Sequence, residues 1–356
     1  MLKNLKFYSK NIFQSFLACL FGILISLILI IFLTERPFHS ALDFFTGVFS
    51  STFYIGSFLD TASLLLWASL GAILAFSCGN MNLGGEGQIY LSGLVTALIL
   101  GNSQDVHFAI KIILAFLSAC FVGGFCAFIP AILKIFKGSS ELLTSFLISS
   151  ATIPLVDAAI SGSFRGETNN LLATNFIPEA FRLKKLLPPS TFNISFFIAI
   201  FFTVILTIIF YKTKKGKDFC LCGVAPELAK YSGIPVAKYS VLGMFLSGAF
   251  HGITGFFAVW GTFYTCHYGF YSGMGWNGLT CALIARKNPL ALIPSAFLLS
   301  WIFTAADRTS MINGFSFDLE SLIQGSILFF ISAQFVLPKF FAKEKEKNHG
   351  SCNRLI

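Results

Sequence analysis

Gly79-Asn80-Met81-Asn82-Leu83-Gly84-Gly85-Glu86-Gly87-Gln88 lies between two apolar runs, Leu64 to Phe76 before it and Ile89 to Leu100 after it. A flexible, amide-rich stretch with one carboxylate is costly inside membrane-type sequence. Insertion scales put an acidic side chain at the bilayer centre at about 2.5–3.5 kcal/mol, so such a group normally faces a partner or a watery cavity. Irregular backbone at that depth is tolerated only against protein or water. The stretch therefore reads as part of a solute pathway rather than as lipid-facing wall.

The rest of the chain supplies the membrane context. Hydrophobic residues make up 55% of the 356 and charged residues 12%, whereas soluble domains carry about 25% charged. The 44 phenylalanines suit lipid-facing surface. No stretch is polar and long enough for a separate soluble domain, so residues 1–356 read as one membrane domain. A spanning helix needs about 20 apolar residues. Ten windows qualify: 12–33, 59–78, 86–101, 108–133, 142–161, 193–211, 240–260, 272–286, 289–306 and 319–338. The eighth is short and Gly-rich. Residues 38–57, bounded by Pro37, read as an interfacial or re-entrant segment on the outer side. The apolar run from Phe16 to Leu33 exceeds a signal-peptide core and lacks a small-x-small cleavage site, so it reads as an uncleaved first span.

Orientation follows from Lys and Arg. With the N-terminus inside, the inner segments hold Lys3, Lys6, Lys10, Lys134, Lys137, Lys212, Lys214, Lys215, Lys217, Lys230, Lys238, Arg286, Lys287, Lys339, Lys343, Lys345, Lys347 and Arg354. The outer side holds Arg36, Lys111, Arg165, Arg182, Lys184, Lys185 and Arg308. That division of the 25 basic residues, 18 against 7, predicts cytoplasmic termini, with 339–356 a cytoplasmic tail. The net charge of +9 is then a cytoplasmic-leaflet signature. Basic residues interleaved with aromatics are missing, which argues against nucleic acid.

Catalytic motifs do not emerge. There is no GxxxxGK[ST], so no P-loop. Gly273-x-Gly275-x-x-Gly278 spells the dinucleotide fingerprint without its strand or its acidic partner, and reads as a decoy. Cys220-x-Cys222 has no second pair to make a zinc site, and Cys19, Cys78, Cys120, Cys126 and Cys281 fall in spans as small apolar residues. His251 stands beside Gly248, Gly252 and Gly255, a spacing of small residues that marks close helix packing. It reads as an interhelical hydrogen-bonding residue. Glu141 and Asp157 read as lone carboxylates. The chain predicts no enzyme, no metal and no cofactor.

The loop at 212–239 opens with Lys212, Lys214, Lys215 and Lys217 and continues Cys222-Gly223-Val224-Ala225-Pro226-Glu227-Leu228-Ala229-Lys230-Tyr231-Ser232-Gly233-Ile234-Pro235. Pro226 suits a first helical turn and Glu227 its positive end. Gly233 suits the stop, with Pro235 beyond. A short helix over about 226–232 is presented to the cytoplasm; taken alone it is a connecting helix.

Taken with the first motif, the chain resembles ABC importer permeases of the ribose/simple-sugar and branched-chain amino acid superfamily. Residues 79–88 are similar to the "FNIGGEGQ" signature of the "GGEGQ" nucleoside-type branch, whose members work with basic-membrane-protein-type lipoproteins. Gly223 to Ile234 looks like the "GxNPxAAxxAGI" coupling segment, with Ala225 in place of its Asn and Leu228-Ala229 in place of its paired alanines. Ser140 to Leu143 resembles "NEVI". Gly275-Trp276-Asn277-Gly278 with Ala285-Arg286-Lys287-Asn288-Pro289 resembles "GxGFxGIAVALLGRNNP". The matching pieces run in order from about 59 to 306.

The resemblance implies an all-α polytopic membrane helix bundle of about ten transmembrane helices, with a broken re-entrant-type segment and a cytoplasmic coupling helix. It implies a bacterial inner-membrane permease that imports solute by alternating access. Its partners would be a tandem ATPase, a second paralogous permease and an extracytoplasmic solute-binding lipoprotein. Pro226, Glu227, Ala229, Lys230 and Gly233 would couple to the ATPase. Asn80, Asn82, Glu86, Gln88, Trp276 and Asn277 would line the pathway. If helical, Asn82 and Glu86 share a face.

No span centre carries Lys or Arg, which disfavours an anionic cargo. Nucleosides lead, with a simple sugar close behind. Alternatively the polar groups only satisfy the broken backbone. Two further classes stay open: an ion-coupled secondary transporter with Glu86 as its site, and a structural membrane protein.

Overall fold

The computed structural model describes residues 20–333 except 26, 29, 33, 35, 102–106, 167–170, 287 and 315–318. The basic residues of both termini, Lys287, the tail at 339–356 and the start of the first expected span lie outside the described residues. The described chain is all-helical apart from one isolated bridge between Ala173 and His267.

In chain order the α-helices are α1 Leu20–Phe32, α2 Pro37–Thr46, α3 Thr52–Ser77, α4 Gly85–Gly101, α5 Phe108–Lys137, α6 Glu141–Ser161 and α7 Ser195–Lys212. They continue with α8 Lys214–Val224, α9 Pro226–Tyr231, α10 Val236–Phe257, α11 Met274–Ala285, α12 Leu292–Asn313 and α13 Leu319–Ala333. Each of the ten expected windows contains a helix. Among the described residues, six helical segments are long and apolar enough to cross a membrane: α3, α5, α6, α7, α10 with the π-helical turn that follows it, and α12 with the short turn that precedes it.

Element limits differ from expectation most at α3 and in the loop at 212–239. α3 starts at Thr52 rather than 59, because the Ser51 hydroxyl accepts from the Tyr54 N–H and caps it. The segment expected to lie at the interface therefore holds α2 and a 3-10 turn, Gly47–Phe49, before α3 begins. The loop at 212–239 contains two helices, not one. The Thr213 hydroxyl accepts from Gly216 N at 3.0 Å and starts α8; Pro226 then opens α9.

The chain gathers into two units. The first holds Met1–Gly47 and Ala305–Ile356. Within it Phe21 stacks on Phe330 at 4.6 Å, the Ser40 hydroxyl donates to Asn313 Oδ1 at 3.0 Å, and Arg308 reaches Asp43 at 3.6 Å.

The second unit, Val48–Thr304, holds the polar break. α3 and α10 form its centre, with 83% and 72% of their apolar windows buried. α5, α6 and α7 form its periphery, with 22–33% buried. On α5 the exposed Ile113, Leu117, Phe121 and Phe125 recur at i+4 and form one outward apolar stripe. The expected glycine packing is present. Gly248 and Gly252 of α10 press against the Gly123 and Ala119 carbonyls of α5, where any side chain would collide with backbone. One end of the unit gathers the C-terminus of α5, the N-terminus of α10 and the 212–239 loop. The other gathers Lys111, Arg182 and Lys185, which lie over the rings of Phe181 and Tyr264.

Candidate functional site

The break between α3 and α4 is laid along one face of α10. The Asn80 amide donates to the Ser240 carbonyl at 2.9 Å, and the Lys134 ammonium donates to Asn80 Oδ1 at 2.7 Å and to Glu141 at 2.9 Å. Two turns on, Asn82 Nδ2 donates to Ser247 Oγ at 3.0 Å and to Gln88 Oε1 at 2.9 Å. Gln88 Nε2 returns a bond to Asn82 Oδ1 at 3.0 Å. His251 Nδ1 lies 2.8 Å from Gln88 Oε1, which only accepts, so Nδ1 carries the proton. His251 is thus the interhelical hydrogen-bonding residue its sequence setting predicts.

Freed backbone groups are met from α6. Ser145 Oγ accepts from Leu83 N at 3.0 Å and Ser149 Oγ from Gly87 N at 2.8 Å. Asn82 Oδ1 also accepts from Gly84 N at 2.9 Å, so Asn82 lies before α4 and closes the turn that leads into it. Asn82 and Glu86 therefore do not share a helical face. The condition for that shared face, a helix already running at Asn82, is not met because α4 begins only at Gly85.

Two short helices meet at Glu86. α4 has 17 residues and α11 has 12, about 25 Å and 18 Å of helix against a hydrocarbon core of about 30 Å. The eighth expected window is thus a half-helix. Its N-cap residue, Gly273, donates its N–H to Glu86 Oε1 at 3.0 Å. The Trp276 side chain also hydrogen-bonds the carboxylate. Glu86 is itself in the first turn of α4. One carboxylate so faces the positive ends of two helices, a placement that favours negative charge. Gly275 is required here, because a Cβ would lie 2.6 Å from Glu86 N. The Gly-x-Gly-x-x-Gly letters therefore serve helix packing, not a dinucleotide.

The predicted pathway residues separate into two groups. Asn80, Asn82, Gln88 and Asn277 are buried, and the first three are engaged with one another or with α5 and α10. Glu86 and Trp276 are only half-buried. Tyr90, one turn along α4 from Glu86, packs against the half-buried Tyr271 with ring centres 4.4 Å apart and planes tilted by 36°. The Tyr90 hydroxyl donates to Asp157 at 2.6 Å.

Neither Glu141 nor Asp157 is a lone carboxylate, since each pairs across a helix boundary that its own sequence neighbourhood does not show. Sequence reasoning also passed over Asp60. It is buried on α3 and accepts from Thr191 at 2.5 Å, Thr262 at 3.0 Å and Asn193 at 3.3 Å. The signal was available: Asp60 is a single carboxylate opening an apolar run, the criterion that singled out Glu86.

The start of the break touches the 212–239 loop. Gly79 (φ 83°) lies against Gly223 at the end of α8, and the Ser77 carbonyl crowds the space beside Gly223. A cavity of about 420 Å³ lies at this junction, bounded by Asn80, Lys134, Cys222, Pro226 and Ser240. Beyond it α9 ends at Tyr231, and Gly233 (φ 74°), two residues on, takes the left-handed stop its sequence predicts. Pro226, Glu227, Lys230 and Gly233 are exposed, along with Leu228 and Tyr231, while Ala229 is fully buried and anchors α9 inward.

Comparisons with known proteins bear on the whole arrangement. The family model described as "Branched-chain amino acid transport system / permease component" matches residues 54–332. A probable riboflavin import permease of Treponema pallidum is 38% identical over 92% of this chain and 87% of its own length. A nucleoside ABC transporter permease of Lactococcus lactis is 27% identical over 95% of both chains. A guanosine ABC transporter permease of Bacillus subtilis is 25% identical over 87% of this chain and 89% of its own.

Proposed function

From a chain that belongs to the branched-chain amino acid transport permease family, we propose a route for a neutral solute that joins a flat nitrogen heterocycle to a run of hydroxyls. The chain is a permease subunit of an ATP-binding-cassette transporter, a transport component rather than an enzyme. The observation that carries the cargo class is the half-open cluster of Glu86, Trp276 and Tyr271. It offers a carboxylate to hydroxyl or ring N–H donors beside aromatic faces for a planar ring. The Asn80, Asn82 and Gln88 amides, expected to line the pathway, are engaged within the fold, which leaves the carboxylate beside aromatic rings and supports a ring-bearing cargo over a simple sugar. Within that class a flavin ranks first, supported by the 38% identity to a riboflavin-type relative. Nucleosides, which led on sequence alone, are second and supported by the two relatives at 25–27%.

In this reading residues 1–356 form one inner-membrane permease domain with about ten spans and cytoplasmic termini. The 212–239 loop docks a tandem ATPase through the exposed Glu227, Leu228, Lys230 and Tyr231. A paralogous permease completes the pathway, and an extracytoplasmic lipoprotein delivers solute. ATP-driven closure moves α9, and the Gly79–Gly223 contact passes that movement to the break.

The test is uptake of radiolabelled riboflavin into vesicles holding all subunits, with guanosine and ribose as competitors. Uptake that needs ATP, ignores a protonophore and is blocked by riboflavin ahead of guanosine agrees with the proposal. Block by ribose alone moves the cargo to simple sugars, and uptake without ATP rejects the proposal. Glu86→Gln should retain partial uptake and Glu86→Ala little. A proton-coupled site would lose both.

A further inference from the structure

An apolar groove of about 320 Å³ is lined by α7 and α10 beside the start of the 212–239 loop. Leu74 of α3 lies at its floor, Phe202 and Leu206 of α7 on one wall, Leu246 and Phe250 of α10 on the other, and Phe219 of α8 across its end. Only Lys215 and Tyr239 bring polar side chains to it, and both sit at the α8 end. The groove opens sideways, where Ile209 and Leu242 are exposed.

Charge is concentrated at that mouth. Lys212, Lys214, Lys215 and Lys217 fall within six residues and are all exposed, with Asp218 the acidic neighbour on the same helix. No ion pair holds any of the four lysines among the described residues. α8 begins at Lys214, so its positive end adds to the field. An apolar slot open to the bilayer, with the unpaired Lys215 at its polar end and three more lysines close by in the chain, matches one kind of occupant: a chain of hydrocarbon ending in an anion.

We propose that this groove is a specific site for an anionic phospholipid, with one acyl chain between α7 and α10 and the phosphate against Lys215. This rests on the reading that 212–239 lies at the membrane surface. The occupant would press on Phe219 of α8, next to the Gly79–Gly223 contact, so the lipid would set the resting position of the coupling loop.

Trp67 provides a built-in reporter. Its indole is 1% exposed and lies 5.4 Å from the Phe202 ring and 6.1 Å from the Phe250 ring, both on the groove walls. In the full-length chain with Trp260, Trp276 and Trp301 changed to Phe, Trp67 fluorescence is read in vesicles containing phosphatidylglycerol or phosphatidylcholine brominated on the acyl chains. Phosphatidylglycerol should quench with roughly fivefold preference. Lys215→Glu should abolish the preference and Lys215→Gln weaken it. Lys217→Glu, whose side chain does not line the groove, should leave most of it.

Equal quenching by the two lipids would overturn the site. So would equal loss in Lys215→Glu and Lys217→Glu, which would mean diffuse attraction to a charged surface. The vesicles carry lipid in both leaflets and need no ATPase or solute, so the result stands apart from the transport assay.

Discussion

Gly223→Ala tests whether the polar break and the coupling loop move as one. A Cβ at 223 would overlap the Ser77 carbonyl oxygen and lie 2.6 Å from Gly79 N and 2.8 Å from Ser77 C. Carbon prefers neighbours at about 3.5–4.0 Å, so the two segments must part by about 1 Å. The obstacles are all backbone, and no rotamer change relieves them. Overpacking of this kind costs about 1–3 kcal/mol. If that strain falls on one of two transport states, it shifts their balance by about 5–150-fold. The assay is ATP hydrolysis and solute uptake measured together in reconstituted complexes, with subunit association checked by pull-down. The expected result is retained association and hydrolysis with uptake lowered on the order of tenfold. Gly325→Ala, at a helical site with nothing within 4 Å, is the matched control: it should leave uptake per ATP unchanged and, if anything, firm the helix. Normal uptake per ATP in Gly223→Ala would refute the mechanical link.

Glu227→Arg, which reverses charge at the start of α9, and Gly233→Val, which puts a β-branched residue at φ 74°, should leave the chain inserted. Both should lower ATPase capture in a pull-down, together with uptake. Gln88→Leu strips partners from Asn82 and His251 at once, and at about 1–3 kcal/mol for each unsatisfied buried group it should lower thermal stability markedly. An unchanged melting temperature would mean the network carries no stability. Cysteines placed beside Lys214 should react only with reagent from the cytoplasm and those beside Lys184 only from outside; labelling in the opposite sense reverses the topology and removes α9 from the ATPase.

Much of this protein is legible in one dimension. Apolar runs reveal their helices because each residue's transfer energy is local, and every expected window contains a helix. Pro226 and Gly233 bracket α9 because helix initiation and the left-handed stop are decided by single residues. Glu86 announces itself because an acid among apolar neighbours must have a reason to be there.

Sequence alone also shows that the 79–88 stretch is broken, but not what its side chains face. Asn80, Asn82 and Gln88 read as solute ligands until Ser240, Ser247 and His251 are brought across from α10 to occupy them. The pairing of Glu86 with the N-terminus of α11 joins residues 187 positions apart. Asp60 finds its partners 131 to 202 positions away. Hydropathy and helix signals are sums over neighbours in the chain, so the sequence by itself determined the elements and the place of the break. Hydrogen-bond satisfaction is a property of neighbours in space, so only the tertiary structure decided which polar groups are engaged within the fold and which stay partly open beside it.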